Sequence, residues 1–335
     1  MALLNISKLI TLDRHIETEE ELHPEATGDL TLLLQDLTLA IRLISNEVRH
    51  AGLNGILGST NNKNIHGETV RKLDDYANQI IINAMEQGGH TAALISEESE
   101  NVIFTNNKKK SKYFLAFDPL DGSTNIDVYG TIGTIFSINK IRNTDKNDIS
   151  EKDVLIPGNM QVAAGYVLYG SSTVLVYTTG NGVNVFTYDH LIGEFLLTFE
   201  KIRIPDFGYY YSCNEGNSLK WNEKVQEYIH NLKQPIWNSK SFTLRYIASV
   251  VADIHRTIHY GGIYLYPADT KQKNGKLRLI YEANPLALIV EQAGGIAVNG
   301  KQRILDIVPQ DIHQKVPFFA GSKENIKQLQ KIAFS

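Results

Sequence analysis

The stretch Tyr113-Phe-Leu-Ala-Phe-Asp-Pro-Leu-Asp-Gly-Ser-Thr-Asn125 changes character halfway along, and that change decides how the chain is read. Tyr113 to Phe117 is almost wholly apolar, as suits a strand covered on both faces. The strand is expected to end at Asp118, because Pro119 lacks a backbone donor and biases its predecessor toward extended geometry. Asp121 follows three residues later, then Gly122-Ser123-Thr124. Two carboxylates on a tight turn can share a divalent cation, and Gly-Ser-Thr amides and hydroxyls can cradle a phosphate. Asp-Gly after a strand is also an ordinary turn, so rival chemistries need testing. With Gly122 as the central glycine of an EF-hand loop, Phe117 and Pro119 would fall at the first and third ligand positions, which excludes that loop. An aspartyl-phosphate enzyme would want its nucleophile where Pro119 stands. A metal-activated water is the better nucleophile.

Working outward, Thr91 to Ile95 is a second apolar strand that ends in acid, at Ser96-Glu97-Glu98. If the two strands are neighbours in one sheet, Glu97, Glu98, Asp118 and Asp121 converge at one edge. Such clustering is costly unless cations neutralise it. Upstream, Asp29 opens an amphipathic helix with Leu30, Leu33, Leu34, Leu37, Ile41, Ile44 and Val48 on its inner face. Before it lies an acidic lead-in with Glu17, Glu19, Glu20 and Glu21; Asn54 to Gly67 reads as a polar loop. The spacing of Val70, Leu73, Ala77, Ile80 and Ala84 predicts a second helix over 68–87, with Asp74 beside the stripe and within reach of a site.

Length and composition bound the rest. The 335 residues suggest about two domains, and 42% hydrophobic with 21% charged residues is an ordinary globular balance. A net charge of -4 argues against a dedicated nucleic-acid binder. Cys213, the single cysteine, excludes an internal disulfide and a cysteine metal cage and fits a reducing compartment. No run reaches the roughly 18 apolar residues of a membrane span, so no membrane association and a cytoplasmic location are expected.

Gly133 to Asn139 reads as a strand, and four strand-like segments from Gln161 to Glu200 form a meander that closes a first domain, 1–200. The second domain, 201–335, opens with Tyr211-Ser-Cys-Asn-Glu-Gly216 as strand and turn, followed by a helix from Ser218 to Leu232. Leu244-Arg-Tyr246 is expected to open a helix running through Val250, Val251, Ile254 and Ile258. Lys276 and Arg278 alternate with Leu277 and Leu279, which puts both cations on one side, as phosphate binding wants. Glu282 is a candidate last metal carboxylate, ahead of a helix from Pro285 to Gln292. The tail reads as a strand, Gly321, then a helix capped by Ser322.

Over nearly its whole length the chain resembles the class I fructose-1,6-bisphosphatases. The resemblance rests on Lys72-Leu-Asp74, Leu94-Ile-Ser-Glu-Glu98, Phe117-Asp-Pro-Leu-Asp-Gly-Ser-Thr-Asn-Ile-Asp127 and Gly133-Thr-Ile-Phe136. In the second half it rests on Asn214-Glu-Gly216, Tyr260-Gly-Gly-Ile-Tyr-Leu-Tyr-Pro267, Asn274-Gly-Lys-Leu-Arg278 and Tyr281-Glu-Ala-Asn-Pro285. The Asp-Pro-Leu-Asp-Gly-Ser core is shared with inositol monophosphatases and related sugar phosphatases; the second-half motifs single out the bisphosphatase.

The resemblance implies an α+β, layered α-β-α-β-α fold with two mixed sheets, an N-terminal regulatory domain, a C-terminal catalytic domain and a site between them. It implies two or three Mg²⁺ ions, with Mn²⁺ an alternative, held by Glu97, Asp118, Asp121, Glu282 and the Leu120 carbonyl. Asp74 and Glu98 would accept the proton of the attacking water. Asp121, Gly122, Ser123, Thr124 and Arg278 would take the phosphate being removed. Asn214, Tyr246, Tyr266 and Lys276 would fix the 6-phosphate and sugar, and Arg245 would reach a neighbouring subunit's site in a homotetramer.

Departures from the family pattern matter. Glu68 stands where an Asp usually completes the metal site, and Asn217 where a Tyr often touches the 6-phosphate. Thr27, Gly28, Thr31, Lys112 and Tyr113 match the family's AMP-inhibition site, but Lys140 replaces an Arg, and acidic residues replace basic ones before Ala26. Lysine meets a phosphate as a point charge, not bidentately, so AMP inhibition is expected to be present but weakened. Rival readings are the same chemistry on sedoheptulose 1,7-bisphosphate or an inositol phosphate, and an inactive nucleotide-sensing subunit.

Overall fold

Along the strand Tyr113–Asp121, successive side chains enter different cores. Leu115 and Phe117 pack with Leu33, Leu37, Ile41 and Ile44, whereas Phe114 and Ala116 pack with Ala93, Ile95, Ile280 and Tyr281. A strand covered on both faces has no polar alternation, which is why this stretch reads as an unbroken apolar run. The structure, a computed structural model, describes residues 9–21, 28–63, 69–107, 110–141, 149–235 and 240–334.

The strand lies in an eight-stranded sheet between Thr91–Ser96 and Ile132–Lys140; Ile103–Phe104 forms one edge. Beyond Ile132–Lys140 come Gln161–Tyr169, Thr173–Thr178, Asn184–Asp189 and Glu194–Phe199, the antiparallel meander. Thr91–Ser96 and Tyr113–Asp121 are parallel and all other pairs in this sheet antiparallel, so the sheet is mixed. A second, five-stranded mixed sheet runs Thr243–Leu244, Tyr210–Ser212, Ile263–Tyr266, Phe318–Gly321, Ile296–Val298.

Four cores hold five layers together, one of them the cluster that Phe114 and Ala116 share with Ile280 and Tyr281. Helices Asp29–His50 and Lys72–Gly88 cover one face of the large sheet. Helices Val250–Tyr260 and Asn284–Gln292 fill the space between the sheets, where Ile135 and Tyr166 from one meet Tyr264 and Phe318 from the other. Helices Glu223–Leu232 and Lys323–Ala333 cover the far face of the small sheet against Ile263, Leu265 and Phe319. The arrangement is the expected α-β-α-β-α stack. Among the described residues no helix is long and apolar enough to cross a membrane.

Four boundaries differ from the sequence reading. The strand does not stop at Asp118: Asp118 pairs with Ile135 and Asp121 with Gly133, and the register shift between them is a bulge that accommodates Pro119. Thr69–Arg71 is a strand paired with Ser59–Lys63, and the helix begins only at Lys72. Its buried face is Leu73, Asp74, Ala77, Asn78, Ile81 and Met85, which brings Asp74 inside rather than beside the stripe. Ser218 sits in a 3-10 turn, with the helix starting at Glu223 after the Asn222 cap. Leu244 ends a short strand, and the next helix begins at Val250, because Ala248 adopts a left-handed φ of 64° that no helix can contain. Ser322 stands at the N-cap of its helix as expected, but its hydroxyl donates to the Pro205 carbonyl and makes no side-chain cap bond.

Candidate active site and a second cleft

Parallel pairing of the two apolar strands brings their acidic ends level. Ser96 is in register with Phe117, and the Glu97 N–H donates to the Phe117 carbonyl at 3.1 Å. The turn continues with the Glu98 N–H on Ser96 Oγ at 3.2 Å. Asp118 accepts the Leu120 N–H at 3.0 Å. Glu282 arrives from the second half of the chain on a π-turn, Leu279–Ala283, its carboxylate accepting the Arg278 N–H at 2.5 Å. Carboxylate oxygens of Asp118, Asp121 and Glu282, all three buried, lie within 4.8 Å of one another. Glu97 reaches the Arg278 guanidinium at 2.9 Å, and Glu282 lies 3.9 Å from it.

Burial and mutual repulsion hold these groups away from their ordinary charge states. Asp118 is raised well above the carboxylate range, by desolvation first and then by Glu97, Glu282 and Asp121. Glu282 is pushed up to about 8 by desolvation, with Arg278 opposing. Asp121 reaches about 6, again by desolvation, held down by bonds from Ser249 and Val251. Asp74 rises to about 8 through desolvation and the Glu98 charge. One Asp74 oxygen, Oδ1, is buried with no hydrogen-bond partner among the described residues. Oxygen-only ligands, strained by their own repulsion and converging from two halves of the chain, fit a hard divalent cation.

Asp121 owes its orientation to a residue 128 positions away: the Ser249 hydroxyl donates to it at 2.6 Å, and the Val251 N–H at 3.0 Å. Two glycines permit this. A Cβ on Gly122 (φ 75°) would sit 2.8 Å from Ser249 Cβ, and one on Gly133 would meet Val251 Cγ1 at 2.7 Å. Asp253, also buried, accepts the Ile247 N–H at 3.0 Å and so fixes the loop between Leu244 and Val250; desolvation raises it to about 7. Sequence reading missed Ser249, Val251 and Asp253. A serine directly before a helix whose fourth turn-facing residue is acidic was the available signal, but it reads equally as simple capping.

These groups line one cleft of about 340 Å³. Asp74, Glu97, Glu98, Asp118, Leu120, Asp121, Gly122, Ser123, Thr124, Arg278 and Glu282 all face it. So do Asn214, Tyr246, Tyr266 and Lys276, and Tyr246 is close enough to feel both Tyr266 and the Lys276 charge. Arg245 is not in the cleft; it is exposed, its guanidinium on the Leu244 carbonyl at 2.9 Å. Glu68 lies outside the described residues.

A second cleft, about 260 Å³, collects Gly28, Thr31, Lys112, Tyr113 and Lys140, with Glu19, Glu20 and Tyr177. Thr27 lies outside the described residues. Two of its polar groups are engaged by the chain's own carboxylates: the Thr31 hydroxyl donates to Glu20, and Lys112 pairs with Asp29 at 3.1 Å.

The family model described as "Fructose-1-6-bisphosphatase, N-terminal domain" matches residues 10–200, and the one described as "Fructose-1-6-bisphosphatase, C-terminal domain" matches residues 204–334. The chain is 51% identical over 323 residues to "Fructose-1,6-bisphosphatase class 1" of Chlorobium phaeovibrioides, covering 96% of this chain and 97% of that one. It is 46% identical over 321 residues to "Fructose-1,6-bisphosphatase, cytosolic" of Oryza sativa subsp. indica, covering 96% and 94%. A solved structure, the Leishmania major fructose-1,6-bisphosphatase in holo form, superposes with a TM-score of 0.91 at 39% identity, covering 97% of this chain and 99% of that one.

Proposed function

The chain belongs to the class 1 fructose-1,6-bisphosphatase family, and from that membership we propose how its residues hydrolyse the 1-phosphate of D-fructose 1,6-bisphosphate to fructose 6-phosphate and phosphate, the gluconeogenic step. The enzyme is a phosphoric monoester hydrolase acting on a sugar bisphosphate with a divalent metal. We assign that metal as Mg²⁺, with Mn²⁺ chemically equivalent in its oxygen preference. Glu97, Asp118, Asp121, Glu282 and the Leu120 carbonyl would hold it. When bound, divalent cations neutralise the phosphate oxygens and acidify a water for in-line attack.

The chain's own groups do the rest. Asp74 and Glu98 take the proton from the attacking water; Asp74 Oδ1, buried and without a hydrogen-bond partner among the described residues, is placed to receive it. Ser123 and Thr124, on the turn opened by Gly122, receive the phosphate oxygens together with Arg278, which moves from carboxylates to phosphate as charge develops. Asn214, Tyr246, Tyr266 and Lys276 orient the substrate through its 6-phosphate and sugar hydroxyls. The N-terminal half would regulate and the C-terminal half catalyse. Arg245, exposed at the lip of the loop, would serve a neighbouring subunit of a tetramer.

What carries the reading is the convergence of three buried carboxylates, two from one half of the chain and one from the other, within 4.8 Å. Phosphate release from fructose 1,6-bisphosphate that appears with Mg²⁺ and disappears with a chelator is the expected result. Release indifferent to the chelator, or no release at all, removes the proposal.

We assign the second cleft to AMP inhibition. A nucleotide phosphate arriving there must displace Glu20 from Thr31 and Asp29 from Lys112, and it meets Lys140 as a point charge. Inhibition should therefore be weak but present, and Glu20→Gln should lower the half-inhibiting AMP concentration by about tenfold, the worth of one like-charge contact relieved. AMP without effect at millimolar concentration would remove this assignment.

A further inference from the structure

Tyr281 directly precedes Glu282 on the π-turn and is fully buried, yet nothing in the chemistry above uses its hydroxyl. Tyr281 Oη lies 2.8 Å from His313 Nδ1, and His313 Nε2 lies 3.3 Å from the Glu100 carbonyl oxygen. A carbonyl only accepts, so Nε2 carries the ring proton. Desolvation lowers the His313 value despite the raising effect of the Glu100 carbonyl and Asp311, which keeps the ring neutral. Nδ1 is then the acceptor, and the Tyr281 hydroxyl donates to it. The proton order runs one way, from Tyr281 through His313 to Glu100.

His313 is itself held in place. Its own N–H donates to Asp311 Oδ1 at 2.7 Å, and the following Gln314 carbonyl accepts the Leu279 N–H at 2.7 Å. The ring meets Tyr281 edge-on at 5.8 Å and 72°. One imidazole thus joins two turns from the two halves of the sequence. The first, after Thr91–Ser96, carries Glu97 and Glu98; the second carries Arg278, Tyr281 and Glu282. Arg278 is a further link between them, but it must exchange carboxylate for phosphate during the reaction, and His313 need not move.

We propose that His313 is a positioning residue of this active site, fixing the separation between the Glu97–Glu98 turn and Glu282 and thereby cation affinity and turnover, without touching substrate. This rests on the reading of the site given above. Of the residues assigned to the substrate only Arg278 adjoins these turns, and those assigned to the 6-phosphate and sugar do not, so KM is expected to change little.

His313→Ala is expected to raise the Mg²⁺ half-saturation and lower kcat, each by about tenfold, with KM for fructose 1,6-bisphosphate changed by no more than about twofold. Tyr281→Phe removes one oxygen while keeping the packing, and moves the same quantities in the same direction; it decides the matter should His313→Ala fold poorly. The double variant is no worse than His313→Ala alone, since both cut one chain. His313→Gln, whose amide keeps a donor for Glu100, recovers part of the loss. The Mg²⁺-induced rise in melting temperature shrinks in step, a readout independent of turnover. Unchanged Mg²⁺ half-saturation and thermal response in the single variants of an active parent overturn the inference alone, as do additive effects in the double variant. A parent chain that releases no phosphate from fructose 1,6-bisphosphate removes the underlying reading and the inference with it.

Discussion

Asp118→Asn should abolish hydrolysis while making the metal-free protein harder to melt. Asp118 is 2% exposed and faces Glu97, Glu282 and Asp121, so its charge is unwelcome in the empty fold. Asparagine has the same shape. Its Oδ1 can still accept the Leu120 N–H, now at 3.0 Å from the aspartate oxygen. Its amide can donate toward Glu97, as only the protonated aspartic acid does. Removing one like charge from a buried cluster should raise the metal-free melting temperature measurably at pH 8, since at about 2.1 cal/mol/K per residue over 335 residues each kcal/mol is worth about 1.4 °C. An uncharged ligand in the same place gives up cation affinity, and kcat should fall by at least about 10³-fold, beyond the loss typical of a residue that only supports a ligand. Activity and stability pull in opposite directions at this residue. Retained turnover with Mg²⁺ would put the metal elsewhere; a lower melting temperature would mean that Asp118 is compensated in the metal-free fold by something other than a proton.

The acidic cluster was legible because two apolar strands end in carboxylates and the parallel pairing of strands is a short-range consequence of what lies between them. Thr91–Ser96 and Tyr113–Asp121 are buried on both faces, and a run with no polar side has little choice but the sheet interior. Their ends meet because Ser96 and Phe117 are in register. What the residues could not disclose is support that acts across long separations. Ser249 falls inside the helix expected from Leu244; in the fold it caps the helix that starts at Val250, and its hydroxyl reaches Asp121. The helix expected from Leu244 failed for a related reason. The apolar periodicity continues back through Ile247 and Tyr246, but Asp253 takes the Ile247 N–H and Ala248 turns left-handed, so a tertiary contact overrides the local pattern. Arg245 shows the opposite limit: the role proposed for it needs a second subunit, and among the described residues its guanidinium donates to its neighbour's carbonyl.

Without divalent cation, the protein should lose melting temperature as pH rises, which is the reverse of what paired surface carboxylates produce. Asp121 at about 6 and Asp74 and Glu282 at about 8 all stand above their unfolded values. Between about pH 4 and pH 8 the folded chain therefore holds protons that the unfolded chain has released, and unfolding free energy falls as pH increases. The stabilisation is whole below the unfolded values and gone once pH passes the folded ones. Cations replace those protons, so Mg²⁺ has most to offer where the cluster is fully ionised. At a hundredfold excess over its dissociation constant a ligand contributes about 2.7 kcal/mol. At about 2.1 cal/mol/K per residue over 335 residues, that is a shift of roughly 4 °C. The shift at pH 8.5 should be clearly larger than at pH 5.5, where protons compete for the same oxygens. Thermal melts with Mg²⁺ or chelator at both pH values measure this directly. Equal shifts, or a metal-free melting temperature that climbs with pH, would mean that these carboxylates are compensated by the chain itself, and the central reason for placing cations among them would be lost.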